Sequence, residues 1–134
     1  KQQGLRNHNA RLIMSLIQRQ GALPGSEIAR LAGLSPQTVS VILRDLELDG
    51  LLARRAPQRG NVGKPSVPMG LAPDGAYSFG LKIGRRSADL VLCDFLGRMQ
   101  GQLQITYRWP VPADVFGFLR DGITRLTTEM TPLQ

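Results

Sequence analysis

The segment "SEIARLAGLSPQTVSVILRDLELDGLL", Ser26 to Leu52, constrains the fold more than any other part of the chain. Two amphipathic stretches are separated by Ala32-Gly33-Leu34-Ser35, a spacing that admits only a tight turn between two helices. Before it, Pro24-Gly25-Ser26 opens a short helix that puts Ile28, Leu31 and Ala32 on one face. After it, Ser35 is placed to cap free backbone N–H groups, Pro36 suits the first helical position, and apolar periodicity runs to Leu46 before Gly50. A further helix precedes both over Leu5–Gln20, where Leu12, Ile13, Leu16 and Ile17 recur at helical spacing and Gly21 supplies the stop. Helix, tight turn, helix is the helix-turn-helix pattern, which presents the start of its second helix to the DNA major groove.

The rotation of that second helix follows from its periodicity. At about 100° per residue, Val39, Ile42, Leu43 and Leu46 gather on the side that must face the other helices. Gln37, Val41 and Arg44 fall on the opposite side, flanked by Thr38 and Ser40. Gln pairs with adenine, Arg with guanine, and Val packs on a thymine methyl, so this face has the chemistry of base-edge reading. Ser35, Thr38 and the helix N-terminus suit phosphate oxygens. The competing reading is a three-helix bundle whose polar face is merely solvated.

Charge adds to the first reading, though by itself it fits nucleic acid and an acidic membrane surface alike. The formal net charge is +7, and it is unevenly placed: residues 1–70 hold ten lysines and arginines against four acids, residues 71–134 seven against six. A basic excess confined to the first half implies a polyanionic partner for that half. Two strand candidates, Leu51–Ala56 and Ser66–Leu71, flank a Gly- and Pro-rich loop in "GLLARRAPQRGNVGKPSVPMGL", which carries Arg54, Arg55, Arg59 and Lys64. This is a hairpin wing after the recognition helix. Its cationic Gly-Lys-Pro tip fits the minor groove of an A·T-rich stretch, and equally fits a flexible basic linker that touches phosphates alone.

After Pro73-Asp74-Gly75 the pattern changes. Ala76–Ile83, Ser87–Asp94 and Gln100–Trp109 are β-rich runs separated by "GRR" and "FLGRM", which reads as an antiparallel meander. A helix then begins near Pro112 and carries Val115, Phe118, Leu119, Ile123 and Leu126 at helical spacing. The expected class is α+β, with a winged helix-turn-helix domain over residues 1–73 and a β-β-β-α second part over 74–134. Cys93, the single cysteine, sits in the apolar run "LVLC" and reads as a small buried hydrophobe; no Cys-cluster metal site and no internal disulfide are expected. His8 reads as a solvated residue or a contact at the helix start, and Trp109 as a cap on the sheet or part of an interface. There is no secretory signal and no membrane-spanning run, so the chain is expected to be intracellular and cytoplasmic.

The succession of "LSPQTVSVILRDLELDGLL", a Gly-Lys-Pro wing, the junction Leu71-x-Pro73-Asp74 and "FGLKIGRRSADLVLCDFLGR" resembles the ROK family (repressors, open reading frames and sugar kinases), in its transcriptional-regulator branch. The resemblance covers about residues 8–130 and rests most on the order of the two halves. It implies that the second half begins an actin-like, ribonuclease-H-like ATPase or sugar kinase fold and that the chain is truncated at Gln134. It also implies a bacterial repressor of sugar uptake or catabolism genes, a homodimer or higher oligomer, and a pseudo-palindromic, A·T-containing operator in double-stranded DNA. A sugar or sugar-phosphate effector and a zinc site would belong to the missing C-terminal part, with no cofactor in this segment. Kinases of the family carry Asp-x-Gly-Gly-Thr in the first hairpin; here Lys82 stands at the Asp, Gly84 is kept, and Arg85 and Arg86 replace the next Gly and Thr. Lys has only donors and cannot ligate magnesium, so this degenerate phosphate loop is expected to have no catalytic role. Lys82, Arg85 and Arg86 remain either a weak anion site or ordinary solvated charges. The alternatives from other classes are a sugar kinase with an added DNA-binding arm and a winged-helix protein-interaction module.

Overall fold

Gly33 adopts φ +64° in the left-handed region, and Gly33 and Leu34 both donate their N–H to Ala29 O, which ends one helix and aims the next. The computed structural model describes residues 2–59 and 65–130. By its internal packing the chain divides into two compact units, Lys1–Gly75 and Ala76–Gln134.

The first unit contains helices α1 (Gln2–Gln20), α2 (Gly25–Ala32) and α3 (Pro36–Leu48), with strands β1 (Leu23–Pro24), β2 (Leu52–Arg54) and β3 (Pro68–Leu71). Ile13 and Ile17 of α1, Ile28 and Ala29 of α2, and Val39, Ile42, Leu43 and Leu46 of α3 are all buried. Removing such a set from water is the main stabilising term for three short helices. Leu52, Pro68, Met69 and Leu71 close the core from the sheet side. The strand order is β1-β3-β2, both pairings antiparallel, with Leu23 opposite Met69 and Leu52 opposite Leu71. Strand β1 is absent from the sequence reading because two residues carry no periodicity. The wing strands are also shorter than expected, although the hairpin continues through a bridge between Gln58 and Ser66. The first helix starts at Gln2, earlier than the expected Leu5, and Arg6 near its start forms an ion pair with Asp45 of α3.

In the second unit β4 (Ser78–Ile83), β5 (Ser87–Cys93) and β6 (Met99–Thr106) form an antiparallel meander in the order β4-β5-β6, followed by α4 (Pro112–Met130). Strand β5 alternates strictly: Ala88, Leu90 and Leu92 are buried, while Asp89, Val91 and Cys93 are half-buried on the other face. Cys93 is thus only half-covered, a departure from the buried hydrophobe expected, because the strand's period assigns it to the more open face. Helix α4 lies on the Leu90–Leu92 face through Leu126, with Phe118, Leu119 and Ile123 at the margin. Gly122 permits the close approach: a Cβ there would lie 2.6 Å from Leu90 Cδ2 and 3.4 Å from Leu103 Cδ1. This is the α+β arrangement expected, a winged helix-turn-helix followed by β-β-β-α.

Candidate nucleic-acid interface

The start of α3 is set by Ser35, whose extended backbone (φ −65°, ψ 147°) precedes Pro36 at the first helical position. Ser35 Oγ accepts from the Thr38 N–H at 3.1 Å, and the two hydroxyl oxygens lie 2.8 Å apart. Both hydroxyls are therefore engaged with each other, and Pro36 has no N–H to offer. This N-terminus presents fewer donors to a phosphate than a bare one.

Along α3 the two faces separate as the periodicity requires. Gln37, Ser40, Val41 and Arg44 are exposed, and Val41 shows 51% of its surface, while Val39, only 1% exposed, sits between them in sequence and faces the core. An exposed Val flanked by an amide and a guanidinium on one helical stripe presents an apolar contact beside two bidentate hydrogen-bonding groups. Among the described residues Arg44 has no ion pair. Leu5 and Asn9 of α1 border the same stripe, forming a shallow groove with Gln37, Thr38 and Val41.

The four wing cations occupy different environments. Arg54, at the end of β2, is bound side-on by Glu47 of α3: Nε donates to Oε1 at 2.8 Å and Nη2 to Oε2 at 3.3 Å. Those hydrogen bonds, with the positive charge, hold the Glu47 carboxyl below the ordinary carboxylate range. Arg55 is half-buried and turned inward, its Nη2 donating to Leu71 O at 2.6 Å. Gly70 leaves the room for it, since a Cβ there would lie 2.7 Å from Arg55 Nε. Arg59 is exposed just beyond the Gln58–Ser66 bridge. Lys64, with the rest of residues 60–64, lies outside the described residues. Sequence reasoning grouped the four as one basic wing, because a run of cations carries no record of which carboxylates and carbonyls it meets.

In the second unit the turn Gly84-Arg85-Arg86-Ser87 is a closed four-residue hairpin. The Gly84 N–H donates to Ser87 O at 2.8 Å, and the Tyr107 hydroxyl lies 2.8 Å from both Gly84 O and Ser87 O. The Tyr107 N–H donates to Arg86 O at 2.9 Å. The Gly84 N–H, one of the backbone donors a phosphate cradle would use, is thus already bonded within the turn. Lys82 is exposed opposite Asp89, and Arg85 and Arg86 are exposed at the tip. Asp94 was not singled out in the sequence, yet it is 6% exposed and organises the turn from β5 to β6. Its Oδ1 accepts from the Leu96 and Arg98 N–H groups, each at 2.9 Å, and Oδ2 from Gln100 Nε2 at 3.1 Å. Asp at the end of a strand before "FLGR" is a turn signal, and reading it through would have found this role.

Among the described residues no group of three or more His, Cys, Asp and Glu side chains is placed to hold a metal ion, and no helix is long and apolar enough to cross a membrane. His8 is exposed on α1. Trp109 is 58% exposed, with the Arg108 guanidinium 5.1 Å from its ring centroid.

Residues 6–53 match a protein-family model described as winged helix-turn-helix DNA-binding. No curated protein sequence matches the chain. Among solved structures the chain is similar to one described as a ROK family transcriptional regulator, homolog of the E.coli MLC protein, at 20% identity and a TM-score of 0.68. The match covers 93% of this chain and 32% of that one, so the chain spans about a third of the length of its structural relative. The likeness extends through both units and shows that they follow the same fold.

Proposed function

We propose that this chain is the DNA-reading part of a transcriptional regulator, and that α3 is its recognition helix. The observation that carries this reading is the division of α3 into a fully buried inner face and an exposed stripe of Gln37, Ser40, Val41 and Arg44 after a left-handed glycine turn. Gln37 and Arg44 read purine edges, Val41 contacts a thymine methyl, and Ser40 adjusts to either. Arg59 and Lys64 supply phosphate contacts from the wing, while Arg54 and Arg55 are engaged within the protein. The chain's position in the cell is the cytoplasm, with the DNA.

The solved relative is described as a ROK family transcriptional regulator, which supports a role in transcription; the finer parts of the proposal rest on the family resemblance of the sequence. The regulator is a repressor of sugar uptake or catabolism genes. It binds an A·T-containing pseudo-palindrome as a homodimer or larger homo-oligomer and responds to a sugar or sugar phosphate held outside this segment. An effector of that kind acts only through a difference in affinity between two arrangements of the protein. The second unit serves as scaffold, without phosphoryl transfer: Lys82 offers no metal ligand, and the Gly84 N–H is bonded to Ser87 O.

Selection of bound fragments from a genomic duplex library at about 150 mM salt tests this reading, since non-specific phosphate contacts are weakened there. Enrichment of an inverted repeat beside carbohydrate genes is the expected result. Recovery of fragments with no shared sequence by this chain and by a longer one containing it would overturn it.

A further inference from the structure

The cations of the wing are not equivalent, and the difference lies in Glu47. Its carboxylate leaves α3 in the last turn and takes the guanidinium of Arg54 side-on, through both oxygens. The intervening turn is itself fixed: Asp49 N–H bonds Asp45 O at 2.9 Å, Gly50 N–H bonds Glu47 O at 3.0 Å, Leu51 N–H bonds Leu46 O at 2.9 Å, and Gly50 takes φ +74°. Helix end and strand end are therefore held at the spacing the pair needs, and little further ordering is required to form it.

Arg54 keeps 66% of its side chain exposed and Glu47 31%, so the pair stands at the surface, with Ser40 and Arg44 along the same cleft. Arg44 precedes Glu47 by one helical turn and has no ion pair among the described residues. Of the two cations that line this cleft with it, the carboxylate is bonded to the one on the wing. A guanidinium held side-on by a carboxylate has committed its Nε–Nη2 donor edge, two of its five N–H groups, and carries beside it a negative charge that offsets its own and repels a phosphate.

We propose that Glu47 is a specificity-determining residue: it withholds Arg54 from the DNA backbone and leaves Arg44 free for a base edge. This rests on the DNA-reading role of α3 proposed above. Phosphate contacts raise affinity for every sequence alike, whereas base contacts discriminate. A carboxylate that removes one phosphate-binding cation lowers non-specific binding and raises the share of the affinity that depends on sequence.

The test is a double-mutant cycle on the full chain with Glu47→Gln and Arg54→Gln, titrated against a random-sequence duplex across 50–200 mM salt. Glu47→Gln is expected to tighten binding on the order of fivefold at low salt and to steepen the salt slope by about 0.9, the value of one added phosphate contact. Arg54→Gln alone is expected to leave the slope unchanged, and in its presence the gain from Glu47→Gln is expected to vanish. Thermal melts of each variant establish that it is folded. A gain from Glu47→Gln that survives undiminished in the Arg54→Gln background, or no gain at all, overturns this inference while leaving the DNA-reading role standing. Salt-insensitive or absent duplex binding by the unmutated chain overturns that role, and this inference with it.

Discussion

Ser35 and Thr38 close the start of α3 on each other: the Thr38 N–H donates to Ser35 Oγ at 3.1 Å, and the two hydroxyls are 2.8 Å apart. The cap fixes where α3 begins and hence which residues emerge on its outer stripe. Ser35→Ala is expected to destabilise the first unit by about 1 kcal/mol in chemical denaturation followed by helical circular dichroism, and Ser35→Asp to recover most of it. An unchanged midpoint for Ser35→Ala would mean that the cap does not set the helix start.

On the proposed reading face, Gln37→Ala and Arg44→Ala are expected to reduce the ratio of selected-site to random-duplex affinity, each by about 1–3 kcal/mol. Arg59→Ala is expected to weaken binding to both duplexes alike and flatten the salt dependence by about one contact. Equal losses on both duplexes from all three changes would place the reading face elsewhere.

Two glycines of α4 are expected to respond to alanine with opposite signs. At Gly117 nothing lies within 4 Å of an added Cβ, so Gly117→Ala should stabilise by about 0.5–1 kcal/mol through helix propensity alone. At Gly122 the same Cβ would overlap Leu90 Cδ2 at 2.6 Å in the core, and overpacking of about 1–3 kcal/mol outweighs the propensity gain. Urea unfolding of the two variants compares them directly, and stabilisation by both would show that α4 does not pack on Leu90 as described.

Asp94 carries the turn between β5 and β6 through two backbone N–H groups and the Gln100 amide. The Asp94 carboxylate is itself buried, and Asp94→Ala leaves those donors without their acceptor, at an expected cost of about 1–3 kcal/mol. Asp94→Asn keeps one acceptor oxygen and should cost less. Amide hydrogen exchange at Leu96 and Arg98 reports the change locally, and unaltered protection in the alanine variant would contradict the assignment.

What the sequence made legible was what period and punctuation encode. Val39, Ile42, Leu43 and Leu46 repeat at helical spacing, and they are the buried face. Ser35-Pro36 and Gly33 mark the helix start and the turn, and they occupy those positions in the structure. The β-rich run Ser87–Asp94 is likewise a strand, over Ser87–Cys93. The partners of polar side chains were not legible. Arg54, Arg55 and Arg59 are alike in the sequence, yet one meets Glu47, one a carbonyl of β3, and one solvent. Those differences arise from contacts across a turn or a sheet, which no local pattern records. Strand β1 escaped for a related reason, since Leu23–Pro24 is a strand only because β3 lies beside it.

The most direct test of the central claim is an amide-resonance titration of the isotope-labelled chain with a selected duplex at about 150 mM salt. The expected result is that the largest shifts fall on Gln37, Ser40, Val41 and Arg44 of α3 and on Arg59 at the wing, with the buried face of α1 unmoved. Shifts concentrated on α4 or on the Arg85-Arg86 turn, with α3 unaffected, would contradict it.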